Sequence, residues 1–96
     1  MKIIYADTFF KRFRGLMGKR DFDHAMVFTN LTDSSIHTMF MRFEIDVYFI
    51  DGDKTVFEKA SLKPWRFYRP KRQAEYVMET RKGKLDLKIG DVLEFL

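Results

Sequence analysis

The most constraining feature of this sequence is a β-hairpin signature in its middle third. Two runs rich in β-branched and aromatic residues, 45–50 and 55–62, are separated by Asp51-Gly52-Asp53. Asp and Gly favour tight turns because they tolerate the backbone conformations that such turns require. The sequence therefore predicts two antiparallel strands joined at Asp51-Gly52-Asp53.

Further strands are predicted on both sides of this hairpin. Short apolar runs at 2–6, 25–28, 36–43 and 92–95 favour strands, and residues 74–79 alternate as expected of a half-buried strand. Pro64 and Pro70 interrupt the pattern, which makes residues 63–72 a loop or a sheet edge. Residues 85–89 fit a short strand or one helical turn.

One amphipathic helix is predicted near the start of the chain. Asp7 or Thr8 can cap it, and Gly18 can end it. Its apolar residues recur at helical spacing, as Phe9, Phe10, Phe13, Leu16 and Met17. The chain therefore combines one helix with several strands.

Length and composition set further bounds. With 96 residues, the chain fits one domain, residues 1–96, and 46% hydrophobic residues exclude a disordered tail. The absence of cysteine excludes disulfides and thiolate chemistry. We find no signal-peptide pattern and no apolar run long enough to cross a membrane, so a cytoplasmic location without membrane contact is expected. A single Asn and a single Gln beside 33% charged residues are typical of a thermophile protein.

Four stretches of the sequence together resemble a known family. They are residues 8–18, with Arg-Gly-Leu-Met-Gly at the end, 36–51, 62–66 and 89–93, with Ile-Gly-Asp at the start. In this order they resemble the uncharacterised family called domain of unknown function 192. The resemblance implies an α+β fold: a single compact domain with a curved, barrel-like, mostly antiparallel sheet and one main N-terminal helix. It implies no established activity.

Asp46 is the most informative polar residue because it interrupts an apolar strand. A buried carboxylate needs a partner, since an unpaired buried charge costs several kcal/mol. Arg14, Arg42, Lys63 or Arg66 could form a salt bridge with it, or a turn backbone could donate hydrogen bonds. Alternatively, Asp46 anchors a ligand or acts as an acid or base in a cleft.

The sequence gives little support for two specific chemical sites, a metal site and a pair of catalytic carboxylates. His37, Met39 and Met41 would share one strand face and could suit copper(I), but such residues are usually ordinary packing. We therefore predict no metal site and no cofactor. Glu44 and Asp46 would also share a face, which permits a carboxylate-dependent hydrolase without indicating one.

Residues 63–72 interleave five cations with three aromatic rings. This combination is typical of single-stranded nucleic-acid binding, in which bases stack on rings and phosphates meet cations. The net charge of +4 is a modest bias toward polyanions. Inward packing of the rings would remove this function, so ring exposure is the deciding observation.

The sequence-based hypothesis is a ligand-binding or scaffold domain with a polar cleft, more plausibly not an enzyme. An anionic or sugar-like small molecule would suit a cleft that combines cations, a carboxylate and a Trp ring. The alternatives are RNA binding through residues 63–72 and a carboxylate-dependent hydrolase. Oligomeric state is left open, because an uncovered sheet edge could pair with another copy. The predicted cleft residues are Arg14, His37, Arg42, Asp46, Lys63 and Trp65.

Overall fold

The computed structural model describes residues 3–6, 25–29, 33–39, 41–94 and 96. Seven strands lie within them. In chain order these are β1 (Ile3–Ala6), β2 (Ala25–Phe28), β3 (Ile36–His37), β4 (Ile45–Ile50), β5 (Val56–Leu62), β6 (Phe67–Tyr68) and β7 (Tyr76–Arg81).

Five strands form the main sheet in the order β1-β2-β7-β4-β5. β1 pairs with β2 in parallel, while the β2–β7, β7–β4 and β4–β5 pairs are antiparallel. Residues 7–24, which separate these two strands in the sequence, lie outside the described residues. β7 therefore lies at the centre of the sheet, although it is the last strand in the chain.

The β4–β5 hairpin has the predicted turn. The Asp51 carboxylate accepts hydrogen bonds from the backbone N–H groups of Asp53 (2.9 Å) and Thr55 (3.1 Å). The Asp51 N–H donates to the Thr55 carbonyl at 3.0 Å. Local side-chain bonding of this kind is why Asp favours turns, and the hairpin prediction is confirmed.

The main sheet is buried on both faces. Ile45, Val47 and Phe49 of β4 point into one cluster of apolar side chains, whereas Tyr48 and Ile50 point into another. Each fully buried side chain of this size contributes roughly 1.5–3 kcal/mol to folding. We call these the first face and the second face of the sheet.

A small second sheet covers the first face. β3 and β6 are antiparallel, with Ile36 opposite Tyr68 and His37 opposite Phe67. Ile36 belongs to the apolar cluster of the first face, and Tyr68 packs against it. Through β6, this small sheet carries Phe67 and Tyr68, two of the three rings in residues 63–72.

The structure corrects the predicted fold class. Within the described residues there is no helix, and the main sheet is not a closed barrel, because it ends at β1 and β5. The start of β5 meets the chain's end instead of β1: the Val56 N–H donates to the Asp91 carbonyl at 2.9 Å. The predicted N-terminal helix falls in residues 7–18, outside the described residues. The mostly antiparallel character of the sheet agrees with the expectation.

Several predicted strand boundaries are also wrong. The strand expected at 36–43 is limited to Ile36–His37, and residue 92 forms only an isolated bridge with Thr55. β7 is not half-buried: Val77 and Met78, on opposite faces, are both fully buried, because apolar clusters cover both faces of the sheet. Within the part of the chain that the structure describes, no helix is long and apolar enough to cross a membrane.

Candidate functional site

Thr38 joins the small sheet to the loop at residues 63–66. Its hydroxyl donates to the Lys63 carbonyl at 2.7 Å and accepts from the Arg66 N–H at 2.7 Å. Its carbonyl accepts from the Trp65 N–H at 2.9 Å, and its N–H donates to the Arg66 carbonyl at 2.8 Å. Thr38 is fully buried, so these bonds lie largely shielded from water. One residue thus determines the shape of the loop.

The loop holds Trp65 in an unusual backbone conformation. Its φ is 64°, a left-handed value that is rare for bulky residues because Cβ approaches the backbone. Strain of this kind costs of order 1–3 kcal/mol and persists only where surrounding contacts enforce it, as Thr38 does here. The Trp65 residue is nevertheless 57% exposed. The strained backbone conformation of the loop thus holds a large apolar ring in solvent.

From Phe67 to Lys71 the chain alternates between outward and inward side chains. Phe67, Arg69 and Lys71 are exposed, while Tyr68 is half-buried and Pro70 is buried. Phe67 is 65% exposed although it is fully apolar. The alternation is that of extended backbone, in which successive side chains point to opposite sides. It places a ring and two cations in one outward row.

Glu58 holds the inward side of this segment. Its buried carboxylate accepts from the Tyr68 hydroxyl and, at 2.8 Å, from the Lys71 N–H. The hydrogen bond to Glu58 raises the pKa of Tyr68, because the carboxylate favours the protonated phenol. Tyr68 also stacks on Phe49, with ring centroids 5.6 Å apart. Two hydrogen bonds to Glu58 and one aromatic stack on Phe49 thus hold residues 68–71 against the main sheet.

These contacts together create a surface that combines rings and positive charge. All five cations of the segment are exposed. Among them, Arg72 also lies over the Phe57 ring, 4.1 Å from its centroid, and 3.6 Å from the Asp51 carboxylate. We define the basic aromatic face as Lys63, Trp65, Arg66, Phe67, Arg69, Lys71 and Arg72.

Asp46 lies elsewhere, on the second face of the sheet. One carboxylate oxygen accepts from the Ser61 hydroxyl at 2.6 Å, and the other accepts from the Gly83 N–H at 3.0 Å. Both oxygens therefore anchor neighbouring structure: a hydroxyl of β5 and the backbone of the turn after β7. This geometry matches the expectation of a hydrogen bond to a turn backbone rather than a salt bridge.

Side chains near Asp46 also hold the segment that follows the turn. The Tyr48 hydroxyl donates to the Leu85 carbonyl at 3.0 Å, and the Lys59 ammonium donates to the Leu87 carbonyl at 3.1 Å. Burial raises the pKa of Tyr48. With their carbonyls taken, residues 85–87 adopt neither the strand nor the helical turn expected there. A depression of about 210 Å³ remains, lined by Asp46, Tyr48, Lys59, Ala60, Ser61, Leu85 and Asp86.

The predicted cleft residues that lie within the described ranges do not all meet in one place. His37 lies in β3 opposite Phe67, and Thr38 connects Lys63 and Trp65 to the same region. Asp46 points to the opposite face of the sheet. Arg42 is exposed in the connection to β4, and Arg14 lies outside the described residues.

The expected shared face of His37, Met39 and Met41 is wrong. Met39 is 44% exposed and Met41 is 6% exposed, because the strand ends at His37 and the chain turns. No group of three or more His, Cys, Asp or Glu residues that could hold a metal occurs in the described ranges. Glu44 forms an ion pair with Lys82 at 3.0 Å.

Two residues that organise the basic aromatic face were not identified from the sequence. Thr38 is one of several hydroxyl residues among apolar neighbours, and Glu58 lies in a strand that carries no recognised motif. Their partners are 10–28 residues away along the chain. The one available signal was Glu58 itself, a charged residue on the face of β5 that carries Ala60 and Leu62.

The fold resembles that of a solved protein. A crystal structure of a protein of unknown function from Novosphingobium aromaticivorans matches with a TM-score of 0.83 over 94% of this chain and 71% of that chain, at 21% identity. At this identity the likeness concerns the fold alone.

Curated relatives are found in thermophilic archaea. A UPF0127 protein of Thermococcus sibiricus is 43% identical over 98% of this chain, and the chain spans 66% of that protein's length. A UPF0127 protein of Pyrococcus furiosus is 39% identical over 99% of this chain and 87% of its own length. The model of the domain of unknown function 192, described as an uncharacterised ACR, matches residues 1–95. The resemblance seen in the sequence is thereby confirmed, and the chain belongs to this family of uncharacterised proteins.

Proposed function

We propose that this protein binds single-stranded RNA through the basic aromatic face. The observation that carries the proposal is the exposure of Trp65 (57%) and Phe67 (65%) beside five exposed cations. Two of the three rings in residues 63–72 face solvent, and the third, Tyr68, serves as the internal anchor. Ring exposure was the feature that distinguishes this function from simple packing.

The backbone strain at Trp65 supports the same interpretation. An exposed Trp contributes little to folding, and a left-handed backbone makes this position more favourable for Gly than for Trp. A bulky ring kept at such a position is better explained by contact with a partner than by stability. Unpaired bases are suitable partners, because each presents a flat ring to stack on.

The expected energetics are those of a modest, salt-sensitive binder. Stacking of a base on an aromatic side chain contributes about 1–3 kcal/mol. If each of the five cations contacts one phosphate, the logarithm of the binding constant should fall with the logarithm of salt concentration with a slope of about −3.5. Binding should therefore be tight only at low salt.

The other two hypotheses have less support. A polar cleft for an anionic or sugar-like ligand needs its residues together, whereas Asp46 points to the second face and Trp65 lies beside the small sheet on the first. A carboxylate-dependent hydrolase needs an available acid or base, and both oxygens of Asp46 accept structural hydrogen bonds. RNA binding by the basic aromatic face requires neither a shared cleft nor an available carboxylate.

Intrinsic fluorescence gives a direct test, because Trp65 is the single Trp of the chain. Titration with a short single-stranded RNA of mixed sequence at low salt should quench Trp65 emission, and added salt should reverse the quenching. Phe67→Ser should weaken binding about 5-fold or more, through loss of one stacking contact.

Ile89→Ser is the matched control, because Ile89 is 64% exposed and lies outside the basic aromatic face. It should leave binding unchanged. The proposal fails if RNA does not quench the wild-type protein at low salt, or if the two Ser variants weaken binding equally. It also fails if the rings prove to be covered by a second copy of the chain, seen as a dimer in sedimentation that Phe67→Ser abolishes.

A further inference from the structure

An open depression lies at the end of the basic aromatic face that carries Arg69, Lys71 and Arg72. Residues 69–73 and the pair Asp33 and Ser34 enclose an open depression of about 340 Å³. It begins two residues after Phe67, which in extended backbone corresponds to about 6.5–7 Å. A nucleic-acid strand that stacks on Phe67 and continues toward Arg69 would therefore pass close to this depression.

The loop that forms this depression is held at several points. The buried Glu58 carboxylate accepts from the Lys71 N–H at 2.8 Å, and the Pro70 side chain is buried. The Gln73 side-chain oxygen accepts from both the N–H and the hydroxyl of Ser34, each at 3.1 Å. The Ser34 hydroxyl in turn accepts from the Ala74 N–H at 3.1 Å. A loop fixed in this way binds a ligand without first losing conformational entropy.

The charge in the depression is mainly positive. Three cations line it, Arg69, Lys71 and Arg72, against one carboxylate, Asp33, which accepts from the Ser35 N–H at 2.8 Å.

The guanidinium of Arg72 has a fixed direction. It lies over the Phe57 ring and beside Asp51, yet its side chain remains 60% exposed. A planar guanidinium held in one orientation is well suited to an anion with several oxygens. Phosphate is such an anion.

We infer that this depression binds backbone phosphates of the nucleic-acid strand whose bases stack on Trp65 and Phe67, with Arg69 and Lys71 each contacting one phosphate. The inference rests on the proposed RNA-binding function and adds a position and a chemistry to it. Rings and phosphate subsite would then follow one another along residues 65–73, so that the strand runs along this segment.

The test compares two double variants that remove the same charge. Arg69→Ser with Lys71→Ser empties the depression of two exposed cations, while Lys84→Ser with Lys88→Ser removes two exposed cations outside it. If Arg69 and Lys71 each contact a phosphate, the salt dependence of RNA binding should become shallower by about 1.4 in the first variant. In the control variant the slope should change by less than half of that.

Inorganic phosphate and a nucleoside, each one part of an RNA strand, test the phosphate contact and the stacking contact separately. Inorganic phosphate at low salt should shift the backbone amide signals of Ser34 and Gln73, and the Arg69→Ser, Lys71→Ser variant should lose these shifts. A nucleoside, which has no phosphate, should quench Trp65 emission equally in wild type and in that variant.

The outcomes separate the two proposals. If RNA quenches Trp65 and both double variants show the wild-type salt slope, the phosphate subsite is wrong while RNA binding stands. If RNA fails to quench Trp65 in the wild type, the proposed function fails and the inference fails with it. Shifts with inorganic phosphate alone would then show a plain anion site, which also contradicts a subsite for a nucleic-acid strand.

Discussion

The backbone N–H of Trp65 donates to the carbonyl of Thr38 at 2.9 Å, and this bond connects a strained, exposed ring to a fully buried residue. The Thr38 hydroxyl adds bonds to the residues on both sides of Trp65. The hydrogen bonds between Thr38 and residues 63–66 can offset the backbone strain, because each contributes about 0.5–1.5 kcal/mol. The position of the candidate stacking ring is therefore determined from inside the protein.

Thr38→Val should reveal this dependence. Val has nearly the same shape but lacks the hydroxyl, so the Lys63 carbonyl and the Arg66 N–H both lose a partner. We expect a loss of about 2 kcal/mol in the free energy of unfolding, measured by urea denaturation. The emission of Trp65 should also change. Thr55→Val is the control, since the Thr55 hydroxyl makes one long bond of 3.5 Å, and a change below about 0.5 kcal/mol is expected. Equal losses in both variants would contradict the role of Thr38.

Replacement of Trp65 by Gly should separate function from stability. Gly adopts the left-handed backbone without strain, although it also gains freedom in the unfolded chain. We therefore expect the free energy of unfolding to stay the same or rise by up to about 1 kcal/mol, while RNA binding is lost. Binding is measured by anisotropy of a labelled RNA, because the Trp signal is absent from this variant.

Lys54→Gly is the matched control for that substitution. Lys54 is the other non-Gly residue with positive φ in the described part of the chain, at 65°, and it lies in the β4–β5 turn. The variant should be similarly neutral or stabilised, and it should bind RNA as the wild type does. A large loss of stability in Trp65→Gly, with Lys54→Gly unaffected, would show that the Trp65 ring packs structurally.

The sequence predicts those parts of the fold that depend on local chemistry. The turn at Asp51-Gly52-Asp53 is held by bonds within five residues, and a pattern of this length can be read directly. The burial of β7 depends instead on apolar side chains from distant parts of the chain, such as Ile36 and Leu93, which pack on the two faces of the sheet. Alternation of residue types along β7 therefore indicated a half-buried strand, although both of its faces are covered.

The candidate site shows the same difference between features set by local residues and features set by distant contacts. Residue types in the 63–72 segment indicated nucleic-acid binding, but ring exposure depends on contacts with Thr38 and Glu58 that span 10–28 residues. Asp46 shows the converse. Its position in an apolar strand predicted that it needs a partner, while the identity of the partners, Ser61 and Gly83, depends on strand register and on a turn.

Asp46 and Ser61 should be energetically coupled if Asp46 is a structural anchor. In Asp46→Asn the side chain has one acceptor oxygen, so either the Ser61 hydroxyl or the Gly83 N–H faces an amide N–H₂ group. We expect Asp46→Asn to cost about 1–2 kcal/mol and Ser61→Ala to cost about 1 kcal/mol or less. The double variant should cost less than the sum by about 0.5–1 kcal/mol, measured by urea denaturation. Strict additivity would contradict the anchor role, and a stable Asp46→Asn would reopen the possibility of an acid or base.

Tyr68 should make the fold sensitive to alkali. Its pKa is raised above the ordinary 10.0, chiefly by the hydrogen bond to Glu58 and also by burial. The folded state therefore keeps the phenol proton more tightly than the unfolded state does. The stabilising effect is fully present below pH 10.0 and is lost as pH rises through the higher folded pKa.

Urea denaturation from neutral pH to above pH 10.0 measures this loss, with Tyr68→Phe as the variant. Tyr68→Phe should be less stable at neutral pH by about 1–2 kcal/mol, because a buried Glu58 oxygen loses its donor. Its stability should then fall less steeply above pH 10.0 than that of the wild type. Tyr48 and Lys82, whose pKa values are also raised, act in the same direction and account for the slope that remains. The exposed Lys82–Glu44 pair is weakened by salt, so repeating the series at high salt isolates the tyrosines. An unchanged alkaline slope in Tyr68→Phe would show that the bond to Glu58 does not hold the Tyr68 proton.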